Sequence, residues 1–282
     1  MRSFLLIFLM VEFGLNIRAV SGTVDSISIY SSSMRKQMKC VVIRPNNYNR
    51  NKKAFPVVYL LHGFAGKYSD WIRLVPQLKT YVDNFNLIIV CPEGNYASWY
   101  FDSPIDLTMQ YETYIGIEVP CYIDSVYRTM RDKEHRAITG LSMGGHGALF
   151  VAWRHSDIFG AAGSMSGGLD LKECIGRFDI EKVIGDTAQF AGNWEKYSIL
   201  SIVETKLNSP ISLVIDCGID DFFITGNRKV HQKLILRGVP HDYIERPGTH
   251  NWVYWKNSIT YQLMYFARYF QTQSNNPVNT KQ

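Results

Sequence analysis

The sequence predicts an open, mainly parallel α/β sheet entered through an antiparallel hairpin, and three observations predict it. Short, nearly continuous apolar runs at 57–61, 87–91, 136–141, 160–165 and 211–217 alternate with helix-length segments, as parallel strands covered on both faces require. Before them, 24–29 and 38–44 alternate apolar and polar residues about the polar turn Ser31-Ser-Ser33, the pattern of a hairpin at a sheet edge. At Gly140-Leu-Ser-Met-Gly144 an apolar, strand-like run turns directly into a small-residue, helix-like one.

The elements follow in order. After the hairpin and the strand at 57–61, residues 76–83 read as a helix, 87–91 as a strand and 112–128 as a longer helix. The strand at 136–141 leads into a helix at 143–155, and a strand at 160–165 follows. Residues 167–209 have weak periodicity and several polar breaks, and they read as a helical excursion over the sheet edge rather than a second domain. A strand at 211–217, a helix at 227–236, a strand at 241–246 and an aromatic helix at 251–270 complete the alternation. The polar tail after residue 272 is expected to fray.

With 282 residues, 46% hydrophobic and 20% charged, the chain can build one large core, and residues 22–272 are expected to form a single domain. A formal charge of +5 without a Lys/Arg block or basic-aromatic stripe argues against a nucleic-acid partner. Met1-Arg-Ser begins a short positive start, an apolar run extends to Val11, and Ala19-Val-Ser21 supplies small residues suited to cleavage. Residues up to about Ser21 therefore read as a secretory leader, which implies a secreted or periplasmic protein. Glu12 and Asn16 interrupt that pattern, and a retained N-terminal anchor is the alternative; the run is short for a stable bilayer span. Of the five cysteines, Cys40, Cys91 and Cys217 fall inside apolar runs as small buried hydrophobes, and Cys121 and Cys174 complete a set without C-x-x-C or zinc spacing.

Gly140-Leu-Ser-Met-Gly144 matches G-x-S-x-G, in which the serine sits on a strained strand-to-helix turn with its hydroxyl presented to a substrate. A serine hydroxyl is a poor nucleophile at neutral pH, so Ser142 needs a histidine to take its proton and an acid to orient that histidine. The strand at 211–217 runs into Gly218-Ile-Asp-Asp221, which offers Asp221 and Asp220; Asp216, inside the strand, suits a buried hydrogen-bonded role better. Pro247-Gly-Thr-His250 follows the next strand, so His250 lies where the base is required. His241 begins that strand, His231 lies in a helical pattern, His146 follows the elbow, and His135 and His155 flank elements as surface residues. The Met143 N–H, directly after the nucleophile, is one donor for a developing oxyanion. The loop His62-Gly-Phe-Ala-Gly66 supplies a second through Phe64, and His62 itself reads as an internal hydrogen-bonding residue.

These features, with Leu60-Leu-His-Gly63, Ser98-Trp-Tyr-Phe-Asp-Ser103, Ser164-Met-Ser-Gly167, Cys217-Gly-Ile-Asp-Asp221 and Gly248-Thr-His250, resemble the putative-esterase (esterase D-like) branch of α/β hydrolases. That branch includes tributyrin esterases, S-formylglutathione hydrolases, feruloyl and acetyl xylan esterases and mycolyltransferases. The resemblance runs through almost the whole mature chain and implies an α/β-hydrolase fold with helices on both faces. It places the acid at the end of a C-G-x-x-D-like segment, which is Asp221, and implies attack by Ser142 on an ester carbonyl with no metal or organic cofactor.

Trp99 and Tyr100, on the loop that also holds Asp102, and Trp252 after the base are candidate aromatic walls for sugar rings or aromatic acyl groups. An exported esterase would fit feruloyl or acetyl groups on polysaccharide, or small acyl esters. An acyltransferase using the same triad is the nearest alternative, and a non-catalytic carbohydrate-binding protein on a hydrolase fold is the alternative of another class. Oligomeric state is not legible in these residues.

Overall fold

The computed structural model describes residues 21–50, 52–205 and 211–275. The leader before Ser21 and the last part of the tail, 276–282, lie outside the described residues. Among the described residues eight strands are present: β1 (Thr23–Ser31), β2 (Lys36–Arg44), β3 (Val57–Leu61), β4 (Ile88–Pro92), β5 (Arg136–Gly140), β6 (Ala161–Met165), β7 (Ser212–Gly218) and β8 (Asp242–Arg246). They form one sheet in the order β1-β2-β4-β3-β5-β6-β7-β8. The hairpin pairs Thr23 with Arg44 through to Ser31 with Lys36, and β2 is antiparallel to β4. From β4 to β8 every pairing is parallel, so their C-terminal ends lie along one edge, where an open α/β sheet assembles its site.

The sheet is covered twice. Along β3, Val57, Tyr59 and Leu61 enter one core while Val58 and Leu60 enter the other, which is why the run is continuously apolar. The first face is covered by the helices Met143–Arg154, Val119–Val126 and Ile224–Leu236. The second is covered by Leu78–Phe85 and Trp252–Asn275 through Leu78, Val82, Ile259, Leu263 and Phe266. The helix Met143–Arg154 is buried from Met143 to Trp153, and its glycines and Ala148 let it lie close on the strands.

Two expectations are corrected. The helix expected over 112–128 is Tyr111–Thr113, a π turn at Tyr114–Glu118, and then Val119–Val126. Pro120 has no N–H to return to the preceding turn, and the widened turn stands directly before it. The last helix continues to Asn275, so residues 272–275 are helical rather than frayed. The excursion at 167–209 is helical as expected, with Leu171–Cys174, Glu181–Ile184, Ala191–Tyr197 and Ile199–Thr205 among its elements. It packs on the first core through Ile180, Val183, Trp194 and Val203.

Cys40, Cys91, Cys174 and Cys217 are buried, Cys121 is exposed, and all five are unpaired. Burial raises the thiols of Cys40, Cys91 and Cys217 far above the usual range, so they behave as inert small hydrophobes. Among the described residues no helix is long and apolar enough to cross a membrane.

Candidate active site

Ser142 stands between β5 and the helix Met143–Arg154 at φ 55° and ψ −119°. A residue with a side chain rarely holds such a conformation, which costs on the order of 1–3 kcal/mol unless its surroundings over-determine it. They do here. The Ser142 N–H donates to the Met165 carbonyl at 2.9 Å, and the carbonyl of Ser142 accepts from the His146 N–H at 3.0 Å. A Cβ on Gly140 would lie 2.5 Å from the Gly144 carbonyl oxygen, and one on Gly144 would lie 2.5 Å from that of His62. The two glycines of the motif are therefore steric requirements of the turn.

The Ser142 hydroxyl lies 2.9 Å from His250 Nε2, and His250 Nδ1 lies 2.8 and 3.0 Å from the two Asp221 carboxylate oxygens. A carboxylate only accepts, so Nδ1 carries the proton and the Nε2 lone pair faces the serine hydroxyl. Asp221 is buried and also accepts the Phe223 N–H at 2.9 Å, which fixes the carboxylate. Asp220 is exposed, and its N–H goes to the Gly248 carbonyl at 3.0 Å; of the two neighbours, Asp221 is the one that faces His250. Asp216 is buried on β7, where its carboxylate accepts from Ser258 Oγ and from Arg246; burial still holds it above the usual carboxylate range.

Pairing of β7 with β8 sets the acid against the base. The Ile219 N–H donates to the Arg246 carbonyl at 2.9 Å, and a Cβ on Gly218 would meet the Gly248 oxygen at 2.3 Å. The two loops thus pack backbone on backbone. The His250 ring is held among Phe222 at 4.2 Å, Trp255 at 4.9 Å and Phe223 at 5.4 Å between centroids.

The loop after β3 approaches Ser142 from the other side, with a Cβ on Gly63 falling 3.4 Å from Ser142 Cβ. In that loop the N–H groups of Ala65 and Gly66 are spent on the carbonyls of Tyr96 and Gly63 at 2.7 and 3.0 Å. No backbone carbonyl among the described residues takes the Phe64 N–H. Met143 opens its helix, where a first-turn N–H has no carbonyl a turn earlier. His62 is buried and holds the loop: Gly94 N–H donates to its Nε2 at 2.8 Å, so Nδ1 carries the proton toward the Gly63 carbonyl, also at 2.8 Å.

A cleft of about 250 Å³ opens over Ser142 and His250, and Phe64, Asp70, Phe178, Trp252 and Trp255 are among the residues that line it. Of the aromatic walls expected from the sequence, Trp252 is in this lining. Trp99 and Tyr100 are corrected: both are fully buried and lie outside the lining. Positive φ values of 51° and 61° turn them inward, where Trp99 Nε1 donates to the Phe178 carbonyl at 3.2 Å and the Tyr100 hydroxyl to that of His62 at 2.9 Å. Asp102 caps a helix start by accepting the Thr113 N–H at 2.9 Å. His146 is buried against Trp99, Phe101 and Phe150, and burial pushes it down to about 3. His231 and His241 contact each other at 2.8 Å. His135 and His155 are partly buried, each against a carboxylate, rather than free surface residues.

Sequence reasoning did not select Phe178, Asp70, Trp255 or Phe222 for the site. The signal for two of them was present: Phe222 follows Asp221 directly, and Trp255 lies one helical turn after Trp252. Phe178 stands in an aperiodic loop that carries no such signal.

A family profile described as "Putative esterase" matches residues 31–266. An acetyl esterase from Caldicellulosiruptor saccharolyticus is 26% identical over 255 residues, covering 83% of this chain and 94% of that protein. The diacylglycerol acyltransferase/mycolyltransferase Ag85A of Mycobacterium gordonae is 27% identical over 71% of this chain and 69% of its own. Among solved structures, a ferulic acid esterase superposes with a TM-score of 0.76 at 28% identity, covering 89% of this chain and all of that one. The fold, the elbow and the matched span lead to one assignment: the chain belongs to this esterase family and is an ester-hydrolysing enzyme of the α/β-hydrolase fold.

Proposed function

We propose that the chain is a serine carboxylesterase working through an acyl-enzyme on Ser142, with His250 as base and Asp221 as the acid that orients it. The observation that carries this reading is the relay of 2.9 and 2.8 Å from the Ser142 hydroxyl through His250 to Asp221. His250 Nε2 takes the hydroxyl proton as Ser142 attacks the ester carbonyl, then returns it to the departing alcohol oxygen. The N–H groups of Phe64 and Met143 receive the oxyanion, at roughly 3 kcal/mol of transition-state stabilisation per donor. Water, deprotonated by the same histidine, then releases the acid.

The acyl groups we propose are small or planar ones such as acetyl and feruloyl, carried by carbohydrate or by simple alcohols. The small aromatic cleft supports this, together with relatives named acetyl esterase and ferulic acid esterase. The apolar start of the chain supports export. Fluorophosphonate labelling followed by peptide mapping, with a substrate panel from acetate to ferulate esters, tests the reading. Label on Ser142 and loss of hydrolysis in Ser142→Ala are expected; full hydrolysis by that variant overturns it.

Transfer of the acyl group to an acceptor other than water is a second reading, favoured by the mycolyltransferase relative. Product analysis with a sugar acceptor separates the two, since a hydrolase releases mainly free acid.

A further inference from the structure

Arg177 lies on the turn between Leu171–Cys174 and Glu181–Ile184, with its N–H on the Cys174 carbonyl at 2.9 Å. Its guanidinium carbon sits 4.7 Å from the ring centroid of Phe178 and 5.0 Å from that of Phe222. Those rings are close to parallel, 17° between planes, with centroids 6.1 Å apart. Phe178 lines the cleft that also holds Ser142, and Phe222 packs tilted against His250, with centroids 4.2 Å apart. A cation therefore stands beside the cleft, one ring away from its lining at Phe178 and, through Phe222, one ring away from His250.

That cation is exposed and enters none of the ion pairs among the described residues, unlike its neighbour Lys182, which holds Asp179 at 3.2 Å. Across the cleft, the Asp70 carboxylate is already taken by Arg73 and by the Lys67 N–H, each at 3.0 Å. The guanidinium lies within cation–π range of both rings, and its N–H donors enter none of the side-chain hydrogen bonds among the described residues, so they are available to a carboxylate, which a guanidinium can grip through two parallel bonds. The backbone is committed to this presentation: Phe178 and Asp179 both adopt positive φ, 57° and 51°, a strain that points to a selected position.

We propose that Arg177, seated on Phe178 and Phe222, selects substrates that carry a free carboxylate near the scissile ester, as in half-esters of dicarboxylic acids and esters of acidic sugars. This rests on Ser142 being the nucleophile. The guanidinium would hold the carboxylate beside the cleft while the ester carbonyl reaches Ser142, lowering KM more than it raises kcat.

The test compares kcat/KM for monoethyl succinate, glutarate and adipate with the matching diethyl esters in wild type, Arg177→Gln and Arg177→Lys, at low and high salt. Wild type should favour at least one half-ester over its diester. That ratio should fall about tenfold in Arg177→Gln, the size of a lost charge-assisted hydrogen bond, be partly kept in Arg177→Lys, and shrink with salt. An unchanged half-ester to diester ratio in Arg177→Gln, or no wild-type preference at any chain length, overturns the assignment. Ser142→Ala run on p-nitrophenyl acetate separates the two failures: full activity there removes the nucleophile reading, whereas Ser142-dependent activity with an unchanged ratio removes only the role of Arg177. Arg177 is exposed, and matched melting curves verify that both variants fold.

Discussion

The Tyr100 hydroxyl donates to the His62 carbonyl at 2.9 Å, which ties a fully buried ring after β4 to the loop after β3 that carries Phe64. Space for the ring is left by Gly94 and Gly147, where an added Cβ would come within 2.4 Å of it. Tyr100→Phe keeps the ring and removes the bond, leaving a buried carbonyl short of its donor. A stability loss of about 1–2 kcal/mol is expected. With the Phe64 N–H less firmly held, kcat should fall several-fold with a smaller change in KM. Thermal unfolding and steady-state kinetics on p-nitrophenyl acetate check both, and an unaltered kcat in a destabilised variant would detach Tyr100 from the oxyanion loop.

Asp221 and Asp220 are neighbours with opposite surroundings, one buried on His250 and one exposed. Asp221→Asn should lower kcat by about 10⁴, since an amide facing Nδ1 favours the wrong tautomer. Asp220→Asn should stay within a factor of about two, because a surface substitution that keeps the backbone bond alters stability by less than about 0.5 kcal/mol. Equal losses in the two variants would show that the acid loop acts as a whole.

Gly218 and Gly248 meet backbone to backbone, so Gly218→Ala must push the acid loop off the base loop. Overpacking of this kind costs about 1–3 kcal/mol. The displacement should also lower kcat by more than the fall in folded fraction explains. Denaturant titration alongside active-site labelling separates the two contributions.

Glu173 lies against the start of the helix Ile224–Leu236, where a Cβ on Gly226 would come 2.5 Å from its Oε2. Burial, followed by the nearby Asp170 carboxylate, pushes Glu173 up to about 7. In the unfolded chain the same group ionises near pH 4.3. Between those values the folded state binds more protons, so stability falls as pH rises through the interval, and the full cost applies above about 7. Glu173→Gln removes that cost. Its melting temperature should match wild type near pH 4.5 and exceed it increasingly toward pH 8; a difference independent of pH would refute the assignment.

Much of the site was legible because its chemistry is local. Spacing of Gly140, Ser142 and Gly144 is a steric demand of one turn, and His250 follows its strand closely enough to be found by order alone. Other parts were not. Asp221 and Asp220 have the same side chain in the same loop, and which of them faces His250 follows from how that loop seats, Gly218 on Gly248. Trp99 and Tyr100 read as walls because aromatic residues in a loop near a nucleophile have no sequence mark for inward or outward; their positive φ values send them into the core.

The order of strands and helices, the strained serine turn, and the residue types of the Ser142–His250–Asp221 relay can be read from the chain alone. These follow from apolar periodicity and from steric and hydrogen-bonding needs within a few residues, which every fold of this chain must satisfy. That Phe178, Phe222 and Trp255 gather around Ser142 and His250, and that Arg177 stands over two of those rings, emerges only once the chain is folded. Those contacts join loops distant in sequence, and their geometry depends on how the β7 and β8 loops and the helical excursion pack together, which no local pattern encodes.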